Sequence, residues 1–133
     1  MTIPTDFCAL GFIRAAAAAP ALALADPAAN AERIAAAART LAADGVSLAV
    51  FPELCLTGYS CEDLFFTASL HAACRRALSR LAEDTASLPL TLVVGMPWQT
   101  GDGRMVNAAV VLSGGIVRGV VPKIHLPNYE EFY

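Results

Sequence analysis

The sequence predicts an α/β fold built around a mixed β-sheet. Three observations lead there. Short, β-rich apolar runs alternate with two long stretches of helical periodicity. The last two apolar runs are joined by Ser113-Gly114-Gly115, a tight hairpin signal that adds antiparallel strands to the parallel ones expected from crossover helices. Of 133 residues, 56% are hydrophobic and only 16% charged, which excludes a disordered chain and calls for a large dry core. A chain of this length builds one domain. Its net charge of −3 and the lack of any Lys/Arg cluster leave no footprint for nucleic acid.

The elements follow in order. Residues 12–25 form the first apolar run, which ends Ala23-Leu24-Ala25 in the manner of a secretory cleavage site. Asp6 rather than a basic residue precedes it, however, and Arg14 interrupts it, so a leader peptide is disfavoured. The run is also too short to cross a bilayer as a helix. It reads as a buried strand from residue 12 to about 19. Asp26-Pro27 opens a helix, with Asp as the cap and Pro in the first turn. Ile34, Ala38, Leu41 and Ala42 mark its apolar face, and Gly45 stops it. Residues 46–51 are short and β-rich, a central strand. A loop at 52–60 leads to a helical turn capped by Ser60, with Glu62 and Asp63 in its first turn. A second helix runs from about 68 to 87 on a stripe of Leu70, Cys74, Ala77, Leu78 and Leu81, with His71 at its surface. Residues 90–96 are the next buried strand. Gly101-Asp102-Gly103 is a turn, and residues 105–112 and 116–121 are the arms of the hairpin.

Of the four cysteines, Cys8, Cys55, Cys61 and Cys74, none forms a CxxC pair. The two histidines, His71 and His125, do not stand at zinc-ligand spacing from them. Free buried thiols in a reducing cytosol are the simplest account, so the expected localisation is cytoplasmic. Cys55, two residues from Glu53, has the position of a nucleophile, but a thiolate needs a base within reach or a local positive potential. A small apolar filler is the reading favoured for all four. Gly101-Asp102-Gly103 and Gly114-Gly115 lie between strands, not before a helix, and so do not make a nucleotide loop.

Two charged residues stand at the ends of hydrophobic runs, each directly after a proline: Glu53 after Pro52 and Lys123 after Pro122. Proline ends the hydrogen-bonded ladder and leaves the next side chain at the strand mouth. A carboxylate there can take and return a proton, and a fixed ammonium can stabilise an oxyanion. The plainer readings are a solvated loop carboxylate and an edge-strand lysine that guards against aggregation. The aromatic loop after Lys123 has the composition of a segment that covers a site or an interface.

The stretch Phe51-Pro-Glu53-Leu-Cys-Leu-Thr-Gly58-Tyr59 resembles the Glu motif of the nitrilase (carbon–nitrogen hydrolase) superfamily. Pro122-Lys123-Ile-His-Leu-Pro127-Asn-Tyr129-Glu-Glu-Phe132 resembles its Lys motif, and the 70-residue gap between Glu53 and Lys123 is of the family's size. Gly58-Tyr-Ser-Cys-Glu62-Asp63-Leu-Phe65 and the opening Asp6-Phe-Cys-Ala-Leu-Gly11-Phe-Ile-Arg14 look further like the glutaminase domains of bacterial glutamine-dependent NAD⁺ synthetases. The resemblance implies a nitrilase-type four-layer αββα sandwich. It implies Glu53 as general base and Lys123 as second member of a Glu-Lys-Cys triad. Tyr129 matches a glutamine-binding position, and Tyr59 falls in the pocket region.

The family's nucleophilic cysteine lies downstream of the Lys motif, a place that none of these four cysteines takes. Residues 1–133 are therefore expected to be the truncated N-terminal portion of a glutaminase domain, inactive alone. The resemblance implies glutamine as substrate, no cofactor for the glutaminase step, and ammonia passed to a synthetase domain of the same polypeptide. That domain would use ATP and Mg²⁺ to amidate nicotinic acid adenine dinucleotide. It also implies a homo-oligomer, and the charge and apolar-run length above lead us to expect no nucleic acid or membrane partner. Two alternatives stand beside it: a stand-alone amidase, nitrilase or N-carbamoyl hydrolase, and a non-catalytic α/β scaffold or nucleotide-binding module.

Overall fold

The computed structural model describes residues 8–125. After a short 3₁₀ turn at Cys8–Leu10 come β1 (Ala15–Ala17), α1 (Pro27–Ala43), β2 (Leu48–Val50), a 3₁₀ helix (Glu62–Phe66), α2 (Ala68–Asp84), β3 (Thr91–Gln99), β4 (Met105–Ser113) and β5 (Ile116–Pro122). The five strands form one sheet in sequence order. β1, β2 and β3 run parallel, joined by the crossovers that carry α1 and α2, and β4 and β5 add antiparallel. This is the mixed α/β sheet that the sequence predicts.

Local chemistry sets the helix limits. Asp26 caps α1 by accepting the Ala29 N–H at 3.1 Å, and Pro27 occupies the first turn without a wasted donor. Gly45, at φ 75°, ends it in the left-handed conformation that glycine adopts without a side-chain penalty. Thr67 caps α2 through the Leu70 N–H at 3.4 Å. Both helices lie on one face of the sheet. Ile34, Ala38, Leu78 and Leu81 from the helices meet Ala49, Leu92, Val94, Met96, Val110 and Leu112 from the strands in one apolar core. The row Val50, Val93, Val111 and Gly119, in register across β2 to β5, belongs to the opposite face, where Val50 is 42% exposed.

Four expectations need correction. The first strand is three residues long, not eight, and is an edge rather than a buried strand. Among the described residues β1 pairs with β2 alone, and Phe12 and Ile13, which precede it, stand 65% and 69% exposed. Ser60 does not cap the 3₁₀ helix. Cys61 takes that place without a side-chain capping bond to the helix. His71 is buried, held by a 2.7 Å bond between its Nε2 and the Phe65 carbonyl, so it ties α2 to the 3₁₀ helix instead of facing solvent. The second helix ends at Asp84, three residues early, where the Thr85 hydroxyl bonds back to the Leu81 carbonyl at 2.8 Å and closes the last turn.

One buried polar residue organises the loops near the sheet. Asn30 is fully buried on the apolar side of α1. Its amide donates to the Ala23 carbonyl at 2.7 Å and the Leu56 carbonyl at 3.1 Å, and its oxygen accepts the Ala23 N–H at 2.7 Å. Every hydrogen-bonding position it uses is backbone, so it pins the segment after β1 and the loop after β2 to the helix.

Candidate active site

Pro52 and Glu53 leave the end of β2 as a tight series of turns that doubles back onto β3. Leu54 adopts φ 53°, a left-handed backbone that a branched side chain rarely takes. The loop holds this shape through bonds from Leu56 N–H to the Gly95 carbonyl at 3.1 Å and from Gly58 N–H to the Leu54 carbonyl at 2.8 Å. The buried Thr57 hydroxyl adds bonds to the Leu54 and Gly58 carbonyls. Such strain persists only where the surroundings over-determine it, and here they fix the Cα of Glu53 against the sheet.

Gly95 makes that approach possible. A Cβ there would stand 2.5 Å from both the Leu54 nitrogen and the Pro52 oxygen, and 2.8 Å from the Glu53 Cα. No side chain fits, so the glycine is a space requirement of the Glu53 loop.

Lys123 arrives from the other direction. It follows β5, and its N–H donates to the Asn107 carbonyl at 2.7 Å, which continues the β4–β5 ladder one step past Pro122. The Lys123 ammonium donates to Glu53 Oε1 at 2.8 Å. The Asn107 side-chain amide donates to the same oxygen. Oε2 accepts no hydrogen bond from a described residue. Lys123 and Glu53 side chains are 34% and 40% exposed, so the pair sits at a wet rim, where an ion pair alone contributes little to stability. Its value is geometric: it holds an acceptor and a cation side by side.

Of the residues singled out from the sequence, Glu53 and Lys123 are thus brought together. Tyr59 is 43% exposed, just beyond the Gly58 turn. Tyr129 lies outside the described residues. Asn107 was missed, although a polar side chain inside the otherwise apolar run Met105-Val-Asn-Ala-Ala-Val-Val-Leu112 was the signal that could have found it.

The cysteines play another part. Cys55 is fully buried, with its thiol 3.6 Å from the Gly95 carbonyl. Burial pushes its pKa up to about 11, against the small lowering effect of that hydrogen bond. Burial, with Cys61 nearby, also pushes Cys74 up to about 11. Cys61 is buried and bonds to the Thr57 and Gly58 carbonyls. Thiols so enclosed are packing groups, as the sequence suggests. Among the described residues no group of three or more His, Cys, Asp or Glu is placed to hold a metal ion. Nor is any helix there long and apolar enough to cross a membrane.

A family model described as carbon-nitrogen hydrolase matches residues 14–133. The chain belongs to the carbon–nitrogen hydrolase family. It is 48% identical over 123 residues to a glutamine-dependent NAD(+) synthetase of Mycobacterium tuberculosis, a match that covers 92% of this chain and 18% of that protein. Its fold superposes with a TM-score of 0.79 on the crystal structure of a glutamine-dependent NAD(+) synthetase from Cytophaga hutchinsonii. There the identity is 30%, and the match covers 87% of this chain and 20% of that one. An amidase from Nesterenkonia sp. matches with a TM-score of 0.73 at 25% identity, over 90% of this chain and 45% of the amidase. The chain spans under a fifth of the length of the Mycobacterium synthetase relatives. Glu53, Asn107 and Lys123 all fall within the stretch that the family model covers.

Proposed function

We propose that this chain is the part of a glutamine amidohydrolase domain that supplies the base and the cation, and that residues 1–133 are the N-terminal portion of that domain. The observation that carries the reading is the 2.8 Å contact between Lys123 and Glu53, two groups 70 residues apart in the chain that follow β2 and β5, strands separated in the sheet by β3 and β4. The likeness to glutamine-dependent NAD⁺ synthetases supports glutamine as the amide and NAD⁺ synthesis as the use of the ammonia. The two layers described here are then half of a four-layer αββα sandwich. The nucleophilic cysteine is assigned to sequence beyond Tyr133, because the family places it downstream of the Lys motif and none of Cys8, Cys55, Cys61 and Cys74 stands there.

The chemistry follows from the donor set. Glu53 takes the proton of the cysteine thiol, and the thiolate adds to the glutamine side-chain carbonyl carbon. The oxygen becomes an oxyanion, which the Lys123 ammonium stabilises. As the oxyanion collapses, the C–N bond breaks and Glu53 gives its proton to the leaving nitrogen, releasing ammonia and leaving a thioester. Glu53 then takes a proton from water, whose oxygen attacks the thioester. The C–S bond breaks, the thiol regains the proton, and glutamate departs. None of these steps calls on a cofactor. Tyr59 and Tyr129 are proposed to line the glutamine pocket. ATP and Mg²⁺ serve a synthetase domain of the same polypeptide, a soluble cytoplasmic homo-oligomer.

In the full-length polypeptide, Glu53→Gln and Lys123→Met are each expected to lower glutamine-dependent NAD⁺ formation by at least about 100-fold. Ammonia-dependent formation, which bypasses the glutaminase site, is expected to stay within about twofold of wild type. Steady-state rates with each nitrogen source test this, and glutamine-dependent turnover surviving either substitution sinks the assignment. The amidase match favours a second reading, a stand-alone amidase. A full-length polypeptide that hydrolyses amides yet makes no NAD⁺ from ammonia would select it.

A further inference from the structure

The triad as proposed does not account for a third group on the Glu53 carboxylate. Asn107 touches both partners by different atoms: its side-chain amide donates to Glu53 Oε1, and its backbone carbonyl accepts the Lys123 N–H at 2.7 Å. It sits on β4 opposite Pro97 of β3, two residues along from Gly95, against which the Glu53 loop rests. The three residues come from the loop after β2, from β4 and from the end of β5, and each is bonded to both of the others.

An ion pair at a rim exposed by more than a third is loosely held. A lysine stem has four rotatable bonds, and the carboxylate can turn about its last torsion. Two donors on one oxygen remove that freedom. With Lys123 and Asn107 both on Oε1, the carboxylate plane is fixed and Oε2 is left to exchange the proton.

We propose that Asn107 is a positioning residue of the amidohydrolase site, which divides the labour between the two oxygens of Glu53. This rests on the reading of Glu53 as the general base. Asn107 touches neither the thiol nor the scissile amide in this scheme. It acts by keeping Oε1 occupied, so that Oε2 takes the thiol proton and later returns it to the leaving nitrogen.

The test uses the full-length polypeptide and the pair Asn107→Asp and Asn107→Ala. Asp has the shape of Asn and keeps the backbone bond to Lys123, but it offers an acceptor where a donor is needed. Both variants are expected to lose about 10- to 100-fold in glutamine-dependent kcat, with the KM for glutamine changed less than about threefold. Ammonia-dependent synthesis should stay within about twofold of wild type. A residue that merely fills space gives the other order, with Asp close to wild type and Ala impaired. Glutamine-dependent kcat of Asn107→Asp within threefold of wild type therefore overturns the proposal. Asn107→Asp decides the matter even if Asn107→Ala fails to fold. Glu53→Gln, assayed in parallel, separates the two claims. If it is inactive with glutamine while Asn107→Asp is active, only the positioning role falls. If Glu53→Gln itself stays active, the general-base reading falls and the positioning role with it.

Discussion

Cys55 shows how burial, not sequence distance, decides reactivity. Cys55 is two residues from Glu53, yet its thiol is enclosed by the Glu53 loop and β3 and bonds to the Gly95 carbonyl. With its pKa pushed from 9.0 to about 11, the thiolate fraction at pH 8 is roughly 100-fold lower than that of an ordinary thiol. Peptide-resolved alkylation of the native protein at pH 8 should therefore label Cys55 at least about 100-fold more slowly than the denatured chain. Labelling at the rate of a free thiol would show that the loop does not enclose it. The same shift bears on stability. The fold keeps this proton up to about pH 11, whereas the unfolded chain releases it near 9. The contribution is complete below pH 9 and is lost as pH rises from 9 to 11. Cys74 follows the same sign, and neither thiol destabilises the fold at neutral pH.

At the scale of elements, the sequence is most legible where one local rule dominates. The Asp26-Pro27 start of α1, the Gly45 stop and the Ser113-Gly114-Gly115 hairpin all stand where capping and turn chemistry put them. The buried stripe of α2 follows from its 3.6-residue period alone. The misreadings share a cause in long-range pairing. The apolar residues 12–19 could not reveal that β1 has one neighbour and is exposed, nor could His71 announce that Phe65, six residues away, offers it a carbonyl. Asn30 falls on the apolar face of α1 at helical spacing from Ile34, a legible anomaly, but its loop partners, Ala23 and Leu56, are not legible. The candidate site divides in the same way: Glu53 and Lys123 announce themselves at strand ends, whereas Asn107 needs the β4–β5 register. Gly95 tests the link from element to site. Gly95→Ala places a methyl group 2.5 Å from the backbone of the Glu53 loop, so loop or strand must move. The expected result is a stability loss of about 1–3 kcal/mol together with a fall in glutamine-dependent kcat. Unchanged melting and unchanged turnover in the full-length polypeptide would show that the loop does not rest on β3.

For the molecule as a whole, the sheet has two unlike faces. α1 and α2 cover one, whereas Val50, Val93, Val111 and Gly119 form a row across four strands on the other. Val50 is 42% exposed, and Val121, next to the β4 residue Ala109, is 60% exposed. A contiguous apolar sheet face of this kind calls for a covering layer, and the αββα reading supplies one from the rest of the domain. Two consequences separate that reading from a self-sufficient domain. The 133-residue chain by itself should bind a hydrophobic dye and self-associate, and Val111→Lys should reduce both. In the full-length polypeptide the same Val111→Lys should instead destabilise the amidohydrolase domain by about 2–4 kcal/mol, because the charge would be buried between two sheets. The isolated chain should also release no ammonia from glutamine, since none of its four cysteines follows Lys123 and the thiols of Cys55, Cys61 and Cys74 are held inside the core. A monomeric, dye-silent chain that turns over glutamine would mean that the sheet face needs no cover and that the nucleophile lies within these 133 residues.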